Sequence, residues 1–405
     1  MKNTVTIFLA IFFLFLSLGQ LEKIQLFSSV SIYAHEIMMF IWLGFWSYKK
    51  PELLSQAKVG VLKQISIKNP VFLFILWISV GWLGALFTQH SLANTFLYSA
   101  RLLFYIAFIF SLLFLEKKKV INAFHLKLGI FVSGCYLLYF GFLQYVFLPD
   151  TRFLQFLGWD DHYFRLISTI LDPGFTGIIL ILTVFAFAQV LQLIKVKKML
   201  IYAALFIFTV GIALTYSRAT YLAYASGAGF AVIYYFMHKK KEVGIFFLSS
   251  LLLLAAFLPF LPRSGGEGVR LERTSTIISR TTSAQTDLDQ IHGINWLTGQ
   301  GLFTVSDHSL LSDSLSHSRV PDNWLVMLIS GTGVVGTILF LLALAKFALK
   351  NWQKNPLFWF AFAAVLVHGI FNASLIYIFV LLWLGVLYVP LRNSEAKKLQ
   401  TEMNR

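Results

Sequence analysis

Long apolar runs cut by short polar joints make up most of this chain. A helix that crosses a bilayer needs about 20 mostly apolar residues. Twelve stretches fit: Thr4–Gly19, Val30–Tyr48, Pro70–Phe87, Thr95–Leu115, Val120–Leu148, Pro173–Ile194, Met199–Tyr216, Ala219–Met237, Val243–Leu261, Asn323–Phe347, Leu357–Ser374 and Leu375–Pro390. The last two form one run too long for a single crossing, and Asn372 and Ser374 at its middle predict a tight hairpin. One stretch departs from the pattern. Pro262–Pro321 is polar, with five Arg, three His and no Lys. Loops of this length in compact architectures are usually functional or disordered, so a water-facing reaction centre is expected to draw on it. The pattern predicts an all-α polytopic membrane protein, one transmembrane domain over 1–405, whose large loop carries short helices.

Charge sets the direction of the spans. Lys49, Lys50, Lys117–Lys119, Lys195–Lys198, Lys239–Lys241, Lys346–Lys354, Lys397 and Lys398 all fall on one side of the predicted membrane. The positive-inside rule makes that side cytoplasmic. Both termini are then inside and the Pro262–Pro321 loop is outside. Ser17 and Gly19 also fit a signal-peptide cleavage site, and cleavage would leave every later orientation unchanged. Pro51–Asn69 spaces Leu53, Leu54, Ala57, Val61 and Ile65 with Lys58, Lys63 and Lys68 between them, as a helix lying on the inner leaflet does. Aromatic-rich Thr151–Ile167 reads as a segment framing an outer lipid groove or as an aromatic anchor.

Composition agrees. At 58% hydrophobic and 13% charged, the chain is excluded from the ordinary soluble globular class. A single cysteine, Cys135, excludes an intrachain disulfide and reads as a buried thiol. No repeat or low-complexity tract is evident, and no nucleic-acid partner is expected. The two basic residue types are segregated. Lysines dominate inside, whereas Arg101, Arg152, Arg165, Arg218, Arg263, Arg270, Arg273, Arg280 and Arg319 lie outside or near the outer boundary. The positive-inside rule does not distinguish Lys from Arg. Arg grips phosphate through a planar fork and stays charged in partly dry sites, so an anionic ligand is expected at the outer face.

Four local patterns follow in order: Arg165–Gly174 (RLISTILDPG), Leu214–Ala223 (LTYSRATYLA), Ser279-Arg280 followed by Trp296–Leu302 (WLTGQGL), and Asp322–Leu325 (DNWL) followed by Gly333 and Gly336. This order, with a large outer loop between spans, resembles the O-antigen ligase and O-antigen polymerase superfamily over about 199–347. Ligase-like members begin the last motif with a His. Here that position is Asp322, and His317 lies earlier, so the pattern is nearer to the polysaccharide polymerases.

The resemblance implies a membrane glycosyltransferase of the bacterial plasma membrane, with its active face extracytoplasmic. The donor would be a polyprenyl-pyrophosphate-linked oligosaccharide. The acceptor would be a sugar hydroxyl on a glycan, a lipid A core or a protein, with a flippase and a chain-length regulator as partner proteins. Arg165, Arg218, Arg280 and Arg319 would hold the pyrophosphate, and Arg218 and Arg280 would also stabilise its departing charge. Asp322, or His317, would accept the acceptor's proton. Attack from the opposite face would invert the anomeric centre. The scheme needs no metal and no cofactor, and the pairs Asp160/Asp161 and Asp287/Asp289 read as solvated loop acids. Plainer roles are open for each residue: headgroup snorkelling for Arg218, a helix cap for Asp322, a simple turn for Gly299 and Gly301. Glu36, His35, Arg101 and His368 lie in or near spans, where ionisable groups are costly. The competing class is a lipid-linked oligosaccharide flippase, which should show interrupted helices.

Overall fold

The computed structural model describes residues 2–27, 30–52, 55, 69–87, 92–194, 196–263, 266–272, 274–303 and 321–390. Every one of the twelve apolar stretches carries a helix. In chain order the helices are α1 (Lys2–Leu18), α2 (Ala34–Lys49), α3 (Pro70–Phe87), α4 (Leu92–Lys117), α5 (Ala123–Phe147), α6 (Pro173–Leu191), α7 (Lys198–Leu214), α8 (Arg218–Met237) and α9 (Lys241–Phe257). They continue with α10 (Ser275–Asp289) and α11 (Asn295–Thr298) in the polar loop, then α12 (Trp324–Asn351), α13 (Pro356–His368) and α14 (Ile378–Tyr388). Among the described residues, 6 helices are long and apolar enough to cross a membrane, and the others are shorter or less apolar. The chain is thus an all-α membrane protein. Most of the Pro51–Asn69 segment lies outside the described residues, as do His317, Arg319 and Arg273.

Helix α6 is the centre. It is apolar all round, and nearly every residue from Pro173 to Val190 is buried, as such a helix must be. It packs against α5, α7, α8, α13 and α14. Small residues let backbones close up: a Cβ on Gly227 of α8 would lie 2.7 Å from the Phe360 carbonyl oxygen of α13. The hairpin expected at Asn372 and Ser374 is present. Helix α13 stops at His368, and the return of α14 is pinned by Asn355 Nδ2 donating to the Leu387 carbonyl at 2.8 Å.

The stretch expected as one helix over Val30–Tyr48 begins differently. Its first residues form a short antiparallel ribbon, β1 (Lys23–Phe27) with β2 (Val30–Tyr33), in the register Lys23↔Tyr33 and Ile24↔Ile32. The alternation of Ile24 with Leu26 across Gln25, and of Val30 with Ile32 across Ser31, is a strand period, which won over the helix reading. The ionisable residues of this region pair with one another. Arg101 grips Glu36 with both prongs, at 2.7 and 2.8 Å, and donates to the Ser31 carbonyl at 2.7 Å. Tyr105 donates to Glu36 at 3.0 Å, and the fully buried His35 contacts Glu22.

Helix α12 is broken at Gly333, whose φ of 65° leaves the helical range. The Trp296–Leu302 turn docks into the break. Gln300 N donates to the Ser330 carbonyl (2.8 Å), Gly301 N to the Gly331 carbonyl (3.0 Å), and Trp77 Nε1 to the Thr332 carbonyl (3.0 Å). The glycines are there for contact: a Cβ on Gly333 would meet the Leu297 carbonyl oxygen at 2.2 Å. Gly299 and Gly301 are therefore a structural turn, and Gly333 belongs to its socket.

A candidate anion site at one end of the bundle

The starts of α6, α8 and α12 meet at the same end of the bundle. A cavity of about 850 Å³ opens there, lined by Arg165, Asp172, Arg218, Arg280, Asp322 and Asn372 among others. Arg165, Arg218 and Arg280, which come from three separate motifs, share this one space. Each of the three helix starts has its own cap. Asp172 accepts from Phe175 N at 2.6 Å, Ser217 from Thr220 N at 3.3 Å, and Asn323 from Leu325 N at 2.9 Å. The N-terminal ends of helices carry partial positive charge that favours anions. Three such ends and four guanidinium groups, counting Arg152, border the cavity.

The backbone bends sharply to deliver these groups. Leu171 (φ 61°) and Tyr216 (φ 50°) are in the left-handed region, immediately before the caps Asp172 and Ser217. Such conformations cost energy in non-glycine residues and cluster at functional sites. Tyr216 is locked by full burial and by its hydroxyl donating to the Pro262 carbonyl at 2.6 Å. Arg165 donates to the Thr215 carbonyl (3.1 Å) and the Tyr216 carbonyl (3.4 Å), which also caps the end of α7. Arg218 donates to the Leu271 carbonyl (3.1 Å) in the polar loop, so it does not simply reach for solvent. Arg280 of α10 donates to Asn372 Oδ1 at 3.1 Å.

Asp322 lines the cavity, and the cap of α12 that it could have made is made by Asn323 instead. Beside it is a residue the sequence reading assigned to solvent. Asp287 of α10 also lines the cavity, and burial, together with the nearby Asp322 carboxylate, raises its pKa above the usual range. Burial likewise raises Asp172, against the opposing pull of the Phe175 amide and Arg165. Arg152 is engaged elsewhere. Its fork closes on Asp150 at 2.9 and 2.7 Å, holding that carboxyl down at about 2, and its guanidinium stacks 4.8 Å from the Tyr163 ring centre. Arg101 is in the Glu36 cluster, and the exposed Arg263 and Arg270 are not among the lining residues.

Asp160 changes meaning too. Its donor atoms, with those of His162 and Asp172, all lie within 4.8 Å of one another. Among the described residues this is the group with the chemistry to take a divalent cation, a possibility that pairing Asp160 with Asp161 in sequence concealed. Comparison with models of known families and with curated proteins finds no match to this chain.

Proposed function

We propose that this chain is a membrane glycosyltransferase that takes glycan from a polyprenyl-pyrophosphate-linked donor at the outer face of the bacterial plasma membrane. The reading includes twelve crossings with both termini inside. The observation that carries it is the convergence of Arg165, Arg218 and Arg280 with three helix starts on one cavity. Ligand sites of this kind usually enclose roughly 300–1,000 Å³, and a pyrophosphate with attached sugar fits that range.

The step is a substitution at the anomeric carbon. The acceptor hydroxyl oxygen bonds to that carbon as the bond from carbon to pyrophosphate oxygen breaks. The proton passes to Asp322, and the pyrophosphate leaves with its charge. Arg218 and Arg280 are fixed before reaction by Leu271 and Asn372, and pre-positioned cations lower a barrier without rearranging. Arg165 orients the donor. Attack opposite the leaving group inverts the centre.

Among the described residues, the interrupted α12 is a feature that favours a flippase. Its exposed carbonyls at Ser330, Gly331 and Thr332 are already taken by the loop and by Trp77, which fits a docking joint better than an ion path. Transfer from purified lipid-linked donor separates the two. Arg218→Ala is expected to lose roughly 10²–10³ in turnover, and Arg218→Lys a sizeable part of that, because Lys keeps the charge and loses the fork. Full turnover in the Ala variant would remove Arg218 from the site. Donor stranded on the inner leaflet in cells would favour the flippase.

A further inference from the structure

We propose that His368 and Asn372 are positioning residues that aim Arg280 into the cavity, with the neutral His368 ring setting the direction of the Asn372 amide. The inference rests on the reading of the cavity as an anion site.

The argument is a count of donors and acceptors. Arg280 can only donate, so the Asn372 atom facing it at 3.1 Å must be the carbonyl oxygen Oδ1. The amide nitrogen Nδ2 then faces His368 Nε2 at 3.3 Å. An amide nitrogen only donates, so Nε2 must accept and carries no proton. The ring proton is therefore on Nδ1, which lies 2.5 Å from Ser374 Oγ. Thr220, 3.5 Å from Nε2, can turn its hydroxyl proton to the Gly174 carbonyl at 3.4 Å. The contacts then run in one direction: Ser374 accepts from Nδ1, Nε2 accepts from Asn372, and Asn372 Oδ1 accepts from Arg280. His368 and Ser374 are fully buried and Asn372 is nearly so. A reversed amide would set its NH₂ against the guanidinium and leave a buried ring nitrogen unmatched.

The local fold exists to make this arrangement. His368 ends α13, and the turn to α14 brings Asn372 and Ser374 back over it, with Asn372 N donating to the His368 carbonyl at 3.1 Å. The Asn372 amide lies beside the start of α6, where a Cβ on Gly174 would be 3.4 Å from Nδ2, an ordinary contact. No residue in this chain of contacts except Arg280 needs to touch a ligand.

The test is nitrogen NMR of the full chain labelled with ¹⁵N-histidine, the His368 signals being assigned by their loss in His368→Gln. The expected wild-type spectrum shows a neutral ring protonated at Nδ1 and bare at Nε2. In Asn372→Asp the carboxylate still faces Arg280 but cannot donate to Nε2, so Nε2 is expected to gain a proton. A wild-type ring protonated at Nε2 overturns the proposal. A second measurement is binding of inorganic pyrophosphate by calorimetry. His368→Leu is expected to weaken it about tenfold, and His368→Gln, whose side-chain oxygen can accept from Asn372, to restore most of that. Equal affinity in the wild type and His368→Leu overturns the positioning role. A wild type with the expected ring state that binds no pyrophosphate overturns the anion-site reading instead.

Discussion

Replacing Gly299 with Ala tests whether the docked turn holds the cavity together. Gly299 has φ +76°, and a Cβ there would lie 2.4 Å from the Gly331 carbonyl carbon and oxygen and from Thr332 N. All three are backbone atoms, so no side chain can swing aside. At ψ 173° Gly299 is in a region that essentially only glycine visits, and it costs an alanine about 1–3 kcal/mol. Relief of the clash requires the turn to lift off α12, which breaks the bonds from Gln300 N and Gly301 N, each worth about 1 kcal/mol net. Gly293→Ala is the control. Gly293 also has positive φ, +55°, but nothing lies within 4 Å of its added Cβ. The variants differ by the two bonds, about 2 kcal/mol, or roughly 30-fold in the open population, and Gly299→Ala adds the strain of its glycine-only region. Because Gln300 Nε2 donates to the Gln290 carbonyl just beyond α10, lifting the turn also loosens α10, which carries Arg280 and Asp287. The assay is limited proteolysis of the loop at low protease, where cleavage follows the open population. Gly299→Ala is expected to be cut at least about 30-fold faster than Gly293→Ala. Equal cleavage rates would refute the docking argument.

Three other outcomes follow from the same structure. In a Cys135→Ser background, an impermeant thiol reagent on intact cells is expected to label Ser283→Cys and not Lys240→Cys; the reverse would invert the proposed orientation. Arg101→Met is expected to cost about 3 kcal/mol in unfolding free energy by leaving Glu36 buried and unpaired, and the double variant Arg101→Met/Glu36→Leu less than that; additive losses would show that the pair is not coupled. The Asp287 carboxyl is raised in the folded state, so the folded protein holds that proton more tightly. Its contribution is then present at low pH and lost as pH rises above about 4. Asp287→Asn is expected to remove that decline and to melt higher than wild type at neutral pH, and equal melting temperatures across the range would sink the argument.

The helices were legible because their signal is local: each apolar stretch carries its own period and length. The convergence of Arg165, Arg218 and Arg280 was legible for a different reason. Each stands beside a span boundary or in the one long polar loop, so topology sends all three to the same face. The register within that loop was not legible. Asp287 and Asp289 are two apart, and only the helical turn of α10 decides that Asp287 faces the cavity. His368 and Asn372 were visible as polar residues in an apolar run, without partners. Their partners come from α8, α10 and the hairpin, 6 to 148 residues away, and no short pattern encodes such contacts. Asp322 reached the cavity as its motif suggested, while the capping role fell to its neighbour because the Asn323 side chain reaches the first free amides of α12.

The mixture of charges in the cavity argues for chemistry over simple anion capture. Five carboxylates, those of Asp160, Asp161, Asp172, Asp287 and Asp322, line the same space as the four guanidinium groups. A site selected only to hold phosphate gains nothing from acids, which repel the ligand and compete for the arginines. Arg165, Arg218 and Arg280 donate to neutral oxygens, on Thr215, Tyr216, Leu271 and Asn372, while the acid next to Arg152 is Asp150, outside the lining. Burial raises Asp172 and Asp287, so each holds its proton more tightly than a free carboxyl does. Positive charge for a leaving group and carboxyls for a proton are the two provisions that the proposed transfer from a pyrophosphate to a hydroxyl requires, and this cavity brings them side by side.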